Sequence, residues 1–112
     1  MEIQNFAMTV TEDKYRPLPE YLTIKPSEIE GLGLFTLKDL EEDKSLGMTH
    51  LYRHSEPNHY LRTPLGGFIN HSEEPNCHLV TVTSFGPRKF LYTKRKIKAG
   101  EELTVKYTMY EV

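Results

Sequence analysis

Three stretches of this chain carry residue types at spacings that can do chemistry. Gly31-Leu32-Gly33-Leu34-Phe35 sets two glycines one residue apart. Such a pair opens dihedrals closed to other residues and lets a ligand come close to the main chain. Position 36 is Thr36, so the third glycine of a dinucleotide-binding turn is missing, and a tight turn between two strands is the competing reading. In Gly66-Gly67-Phe68-Ile69-Asn70-His71-Ser72-Glu73-Glu74-Pro75-Asn76-Cys77, a run of side-chain donors and acceptors follows an apolar pair. Asn70 and Asn76 can each bond backbone groups and hold a surface loop through Asx turns. Gly100-Glu101-Glu102-Leu103-Thr104-Val105-Lys106-Tyr107, with Tyr110 beyond it, reads as a turn and then a strand whose tyrosines pack by their rings and keep their hydroxyls wet.

Other reactive side chains offer less. His50 and His54 stand at i, i+4, a metal-like spacing on a helix, but residues 46–51 read as strand and no carboxylate pattern completes a site, so no metal is expected. Cys77 is the single cysteine. It permits no internal disulfide, and nothing in its sequence neighbourhood except His78 would lower its pKa, so it reads as a buried packing residue. Lys94-Arg95-Lys96 with Lys98 is a short basic run in a chain of formal net charge -2. It reads as a solvated strand end, and direct nucleic-acid binding is not expected.

The elements that must position these residues are short strands. Residues 21–25 alternate and stop at Pro26, and residues 33–36 form a β-prone run. Residues 79–83 and 89–93 flank a turn at Gly86-Pro87 and make the strongest hairpin signal; residues 103–107 alternate again after Gly100. No window supports a long amphipathic helix. One helical turn is expected within 38–44 and another near Glu56. A chain of 112 residues suits one domain, here residues 21–112, preceded by an arm at 1–20 with few apolar positions and with Pro17 and Pro19 close together. No apolar run is long enough for a membrane span and no signal pattern opens the chain. The expected compartment is therefore intracellular and soluble.

Taken in order, Gly-Leu-Gly-Leu-Phe, Phe-Ile-Asn-His-Ser-x-x-Pro-Asn-Cys and Gly-Glu-Glu-Leu-Thr-x-x-Tyr resemble the SET domain of S-adenosylmethionine-dependent protein-lysine methyltransferases, over residues 22 to 110. The short length is similar to minimal viral and bacterial members, which would place the chain in a host cell if viral. The resemblance implies a mainly β fold of several small sheets with a pseudoknot near the C-terminus, where the Asn-His-Ser and Glu-Leu-x-x-x-Tyr segments thread together. It implies S-adenosylmethionine as cofactor, held by the backbone at Gly31, Leu32 and Gly33 and by Asn70 and His71. Tyr107 would be the catalytic tyrosine, Tyr110 would line the lysine channel, and the partner would be a protein with a target lysine. Lys106 stands where many members carry an acidic residue, and Gly67 where many carry an arginine, with Arg62 nearby as a substitute. No cysteine cluster follows Tyr110, so residues 1–20 or a second subunit of a homodimer would close the channel. The alternative is a SET-like module with little or no turnover that binds a peptide or partner.

Overall fold

The apolar residues that alternate along this chain end up in two small sheets. The computed structural model describes residues 17–52, 60–84 and 86–107. Among the described residues the strands are β1 (Leu22–Pro26), β2 (Leu32–Thr36), β3 (Ser45–Tyr52), β4 (Tyr60–Arg62), β5 (Asn70–His71), β6 (Cys77–Val82), β7 (Arg88–Thr93) and β8 (Glu102–Val105), with a 3-10 turn at Leu65–Phe68. One sheet runs β1-β2-β8-β5 and the other β4-β3-β7-β6. The protein is mainly β, as the strand patterning implied. Among the described residues no helix is long and apolar enough to cross a membrane.

Burial explains the strand order. Gly33 to Thr36 of β2 and Leu103 to Val105 of β8 are buried at every position, the mark of strands covered on both faces. They are the two inner strands of their sheet. In β7 only Lys89, Leu91 and Thr93 are buried, a period of two with one covered face. The core joins both sheets through Leu34, Leu40, Leu46, Cys77, Leu91, Ile97, Leu103 and Val105, with Leu18 and Tyr21 packed against it. Three fully buried threonines keep their hydroxyls satisfied by donating to main-chain carbonyls: Thr36 to Lys38 at 2.6 Å, Thr49 to Lys89 at 3.2 Å and Thr93 to Glu41 at 2.6 Å.

The hairpin signal is borne out: β6 and β7 pair antiparallel with Leu79 opposite Leu91. Three expectations need correction. Residues 38–44 form no helical turn, because their backbone bonds outward: Leu40 exchanges hydrogen bonds with Ile97 at 2.7 and 2.9 Å, and Thr93 N donates to Lys44 O at 3.0 Å. The strand expected over 103–107 ends at Val105, since the Tyr107 amide donates to the His71 side chain rather than to a neighbouring strand. The loop expected over 70–77 instead opens with β5, which pairs parallel to β8, Asn70 opposite Thr104 and His71 opposite Val105. The turn placed near Glu56 lies outside the described residues.

Candidate functional site

The parallel pairing of β5 with β8 decides the site. It brings Asn70 and His71 beside the strand that leads into Tyr107, two segments more than thirty residues apart in sequence. Asn76 fastens the same junction. Its Nδ2 donates to Glu102 O at 2.8 Å, and its Oδ1 accepts from Thr104 N at 2.9 Å. One buried carboxamide thus stands in for a strand neighbour of β8. The expected Asx turns are not what Asn70 and Asn76 make: both reach across the fold.

Asn70 ties this junction to the glycine pair. Its Nδ2 lies 3.1 Å from Glu30 O, 3.4 Å from Leu32 O, 3.1 Å from Ser27 Oγ and 2.8 Å from Glu102 Oε2. Two hydrogens are shared among four acceptors, while the carboxamide oxygen takes part in none of these bonds. Ser27 Oγ donates to the same carboxylate at 2.8 and 3.0 Å, and Ser27 N donates to Gly31 O at 2.8 Å across the turn between β1 and β2. Gly31 has φ of 50° and open space where a Cβ would project. Gly33 is buried, and a Cβ there would overlap the Glu102 carboxylate. The turn reading and the close-approach reading therefore hold together: the turn exists, and Gly31 and Leu32 on its outer rim are exposed.

Tyr107 is held at both ends. Its hydroxyl donates to Ile69 O at 2.7 Å, and its backbone N–H donates to His71 Nδ1 at 2.9 Å. The His71 and Tyr107 rings lie 21° from parallel with centroids 6.2 Å apart. A backbone amide can only donate, so Nδ1 carries the lone pair and Nε2 the hydrogen. Nε2 lies 2.8 Å from Glu73 Oε2, and Lys106 Nζ is 3.3 Å from Glu73 Oε1. Burial pushes the Tyr107 phenol above its ordinary pKa, with the Arg62 guanidinium opposing in part. The hydroxyl thus keeps its proton near neutrality and acts as a donor of fixed direction. His71 first and Lys106 second hold the Glu73 carboxyl below the usual carboxylate range.

The other candidates fall out plainly. Cys77 is fully buried, and burial pushes its thiol up to about 12, which makes it a packing residue. Tyr110 and His54 lie outside the described residues. His50 bonds Thr49 Oγ1 through Nδ1 at 2.8 Å, and among the described residues no three His, Cys, Asp or Glu side chains gather around a metal position. Sequence reasoning assigned no role to Ser27, Glu73 or Glu102, and gave Asn76 only an Asx turn. Glu102 left one signal: a carboxylate opening a strand that is otherwise buried needs a partner.

The SET domain family model matches residues 35–108. Over 70 residues the chain is 40% identical to the histone-lysine N-methyltransferase ATXR7 of Arabidopsis thaliana, covering 59% of this chain and 5% of that protein. It is 39% identical over 80 residues to a Mycosarcoma maydis histone-lysine N-methyltransferase named as H3 lysine-36 specific, covering 65% of this chain and 8% of that protein. The chain therefore spans less than a tenth of the length of these relatives. A crystal structure of a candidate histone methyltransferase from Plasmodium falciparum superposes with a TM-score of 0.64 at 20% identity, covering 80% of this chain and 94% of that one, and so shares its fold. With the model match running from the end of β2 through Tyr107, the chain belongs to the SET domain family.

Proposed function

We propose that this chain transfers a methyl group from S-adenosylmethionine to the ε-amine of a lysine in a protein. The observation that carries the reading is the junction itself: one strand pairing sets Asn70, tethered to the Gly31 turn, beside His71, bonded to Tyr107. The residues fit the cofactor. The exposed turn at Gly31 and Leu32 would present its main chain to the amino-acid end, and the Asn70 oxygen and the backbone of Asn70 and His71 would offer polar contacts to the rest. When bound, S-adenosylmethionine supplies an electrophilic methyl on a sulfonium sulfur.

The chain's own residues then have to align and to exclude water. Alignment of an amine on such a methyl is worth several kcal/mol, up to about 7–11. Tyr107, whose hydroxyl hydrogen goes to Ile69 O, offers its oxygen to accept an amine N–H and so leaves the amine lone pair free to point at the methyl. The transfer makes one N–C bond and breaks one S–C bond, whose electron pair stays on sulfur, and the amine proton leaves to solvent. Lys106, a departure that favours a binding module without turnover, pairs with the Glu73 carboxylate at 3.3 Å.

The names of the curated relatives make a histone tail the first substrate to test. The protein is incubated with isotope-labelled S-adenosylmethionine and unmodified recombinant histone H3, and the product is read by mass spectrometry. Label on a lysine side chain is expected. No labelled lysine, together with no calorimetric binding of S-adenosylmethionine, overturns the proposal.

A further inference from the structure

We propose that Glu73 is a positioning residue for Tyr107, acting through the His71 ring. The consequence for rate rests on the methyltransferase reading, but the placement of Tyr107 does not. The backbone amide of Tyr107 donates to one imidazole and its aromatic ring lies nearly parallel to the same imidazole, while Ile69 O holds the hydroxyl end. That imidazole serves Tyr107 only while Nδ1 is bare. Glu73 Oε2, 2.8 Å from Nε2, is the acceptor that keeps the hydrogen on the other nitrogen and fixes the ring's rotation.

Without that acceptor the alternative tautomer sets an imidazole N–H against the Tyr107 N–H. Two donors then face each other and the bond is lost. Rotation of the ring about its χ2 axis also becomes free and removes the parallel contact. Lys106 Nζ, 3.3 Å from the other carboxylate oxygen, holds Glu73 in place from the residue next to Tyr107. The series Lys106, Glu73, His71, Tyr107 therefore closes on itself through one peptide bond. Glu73 and Lys106 side chains are 73% and 58% exposed, so water competes for each and the effect is moderate, about fivefold rather than a hundredfold.

The test uses the full chain as wild type, Glu73→Leu, Glu73→Ala and Glu73→Gln. Three quantities are read: hydrogen exchange at the Tyr107 amide, the His71 imidazole nitrogen shifts by NMR, and kcat and KM for methyl transfer to histone H3. Glu73→Leu and Glu73→Ala should speed Tyr107 amide exchange about fivefold, mix the His71 tautomers and lower kcat by a similar factor while KM for S-adenosylmethionine holds. Glu73→Gln, whose amide oxygen still accepts from Nε2, should recover most of the loss. Unchanged exchange and tautomer in both removal variants overturn the proposal, as does a loosened Tyr107 with unchanged kcat. A wild type that transfers no methyl, beside a removal variant that loosens Tyr107, overturns the methyltransferase reading and leaves the positioning role standing.

Discussion

The Glu102 carboxylate occupies the volume that a side chain on Gly33 would need. It is anchored there by Ser27 Oγ and Asn70 Nδ2, so it serves as the floor of the turn that presents Gly31 and Leu32. A Cβ at position 33 would drive the carboxylate off both partners. Gly33→Ala should therefore cost about 1–3 kcal/mol, the range for overpacking. In a Glu102→Ala background the same substitution should cost at least about 1 kcal/mol less, because the two changes share one contact. Urea denaturation of the four proteins in this cycle checks it; purely additive losses would disconnect Gly33 from Glu102.

Asn76 is 4% exposed, and its carboxamide satisfies one carbonyl and one amide of β8. Asn76→Ala removes the partner of the buried Thr104 amide and of the half-buried Glu102 carbonyl. At about 1–3 kcal/mol for each orphaned group, the expected loss is about 2–6 kcal/mol. Asn76→Asp keeps the acceptor for Thr104 N and loses the donor to Glu102 O, so it should fall between the two. Denaturant midpoints at pH 7 give the ranking.

Local pattern made the strands legible and left the site only half so. The β6–β7 hairpin follows from alternation around Gly86-Pro87, because each strand's period and the turn chemistry are contained in about fifteen residues. The β5–β8 pairing has no such signature. It involves only Asn70 and His71, is parallel, and joins residues far apart, which periodicity cannot register. The family resemblance implied that the two segments thread together, but the roles of Asn76 and Glu102 depend on the register of that pairing and were not legible. The motifs around Asn70, His71 and Tyr107 were readable because their residue types and order are long enough to resemble a family. The 38–44 segment misled because Leu40 bonds Ile97, a partner that local propensity ignores.

His50 makes stability depend on acid. It is 3% exposed, and burial first, then the charges of Arg62 and Lys89, lower its pKa from 6.5 to about 4. Between those values the unfolded chain binds a proton that the folded chain lacks, so the stability is fully present above pH 6.5 and is lost as pH falls towards 4. From pH 7 to pH 5 the loss should be about 2 kcal/mol. The window lies above that of Glu73 and Glu101, whose carboxyls are lowered from 4.5 and lose their contribution only as pH falls below that ordinary value. His50→Phe keeps a ring against Tyr60, whose centroid is 6.0 Å away, and removes the titration. The slope of stability against pH between 7 and 5 should flatten in this variant. An identical slope in both proteins would assign the acid sensitivity elsewhere.

Tyr107→Phe separates catalysis from packing. The substitution removes one oxygen and keeps the ring that lies parallel to His71 and the amide that His71 Nδ1 accepts. Its structural consequence is confined to Ile69 O, which loses a 2.7 Å donor, so stability should fall by about 1 kcal/mol. The proposed chemical consequence is larger. A hydroxyl whose hydrogen goes to Ile69 O and is kept by burial leaves its oxygen fixed in direction to accept an amine N–H and orient the amine in the transition state, and loss of such a positioned group slows turnover by ~10²-fold or more. S-adenosylmethionine affinity should change much less, because the Gly31 turn and Asn70 do not touch the phenol oxygen. Three measurements on this variant decide: melting temperature, cofactor affinity by calorimetry, and initial rate of methyl transfer to histone H3. A rate near wild type would make Tyr107 an aromatic packing residue. A lost rate at an almost unchanged melting temperature and affinity would place its hydroxyl at the reacting atoms.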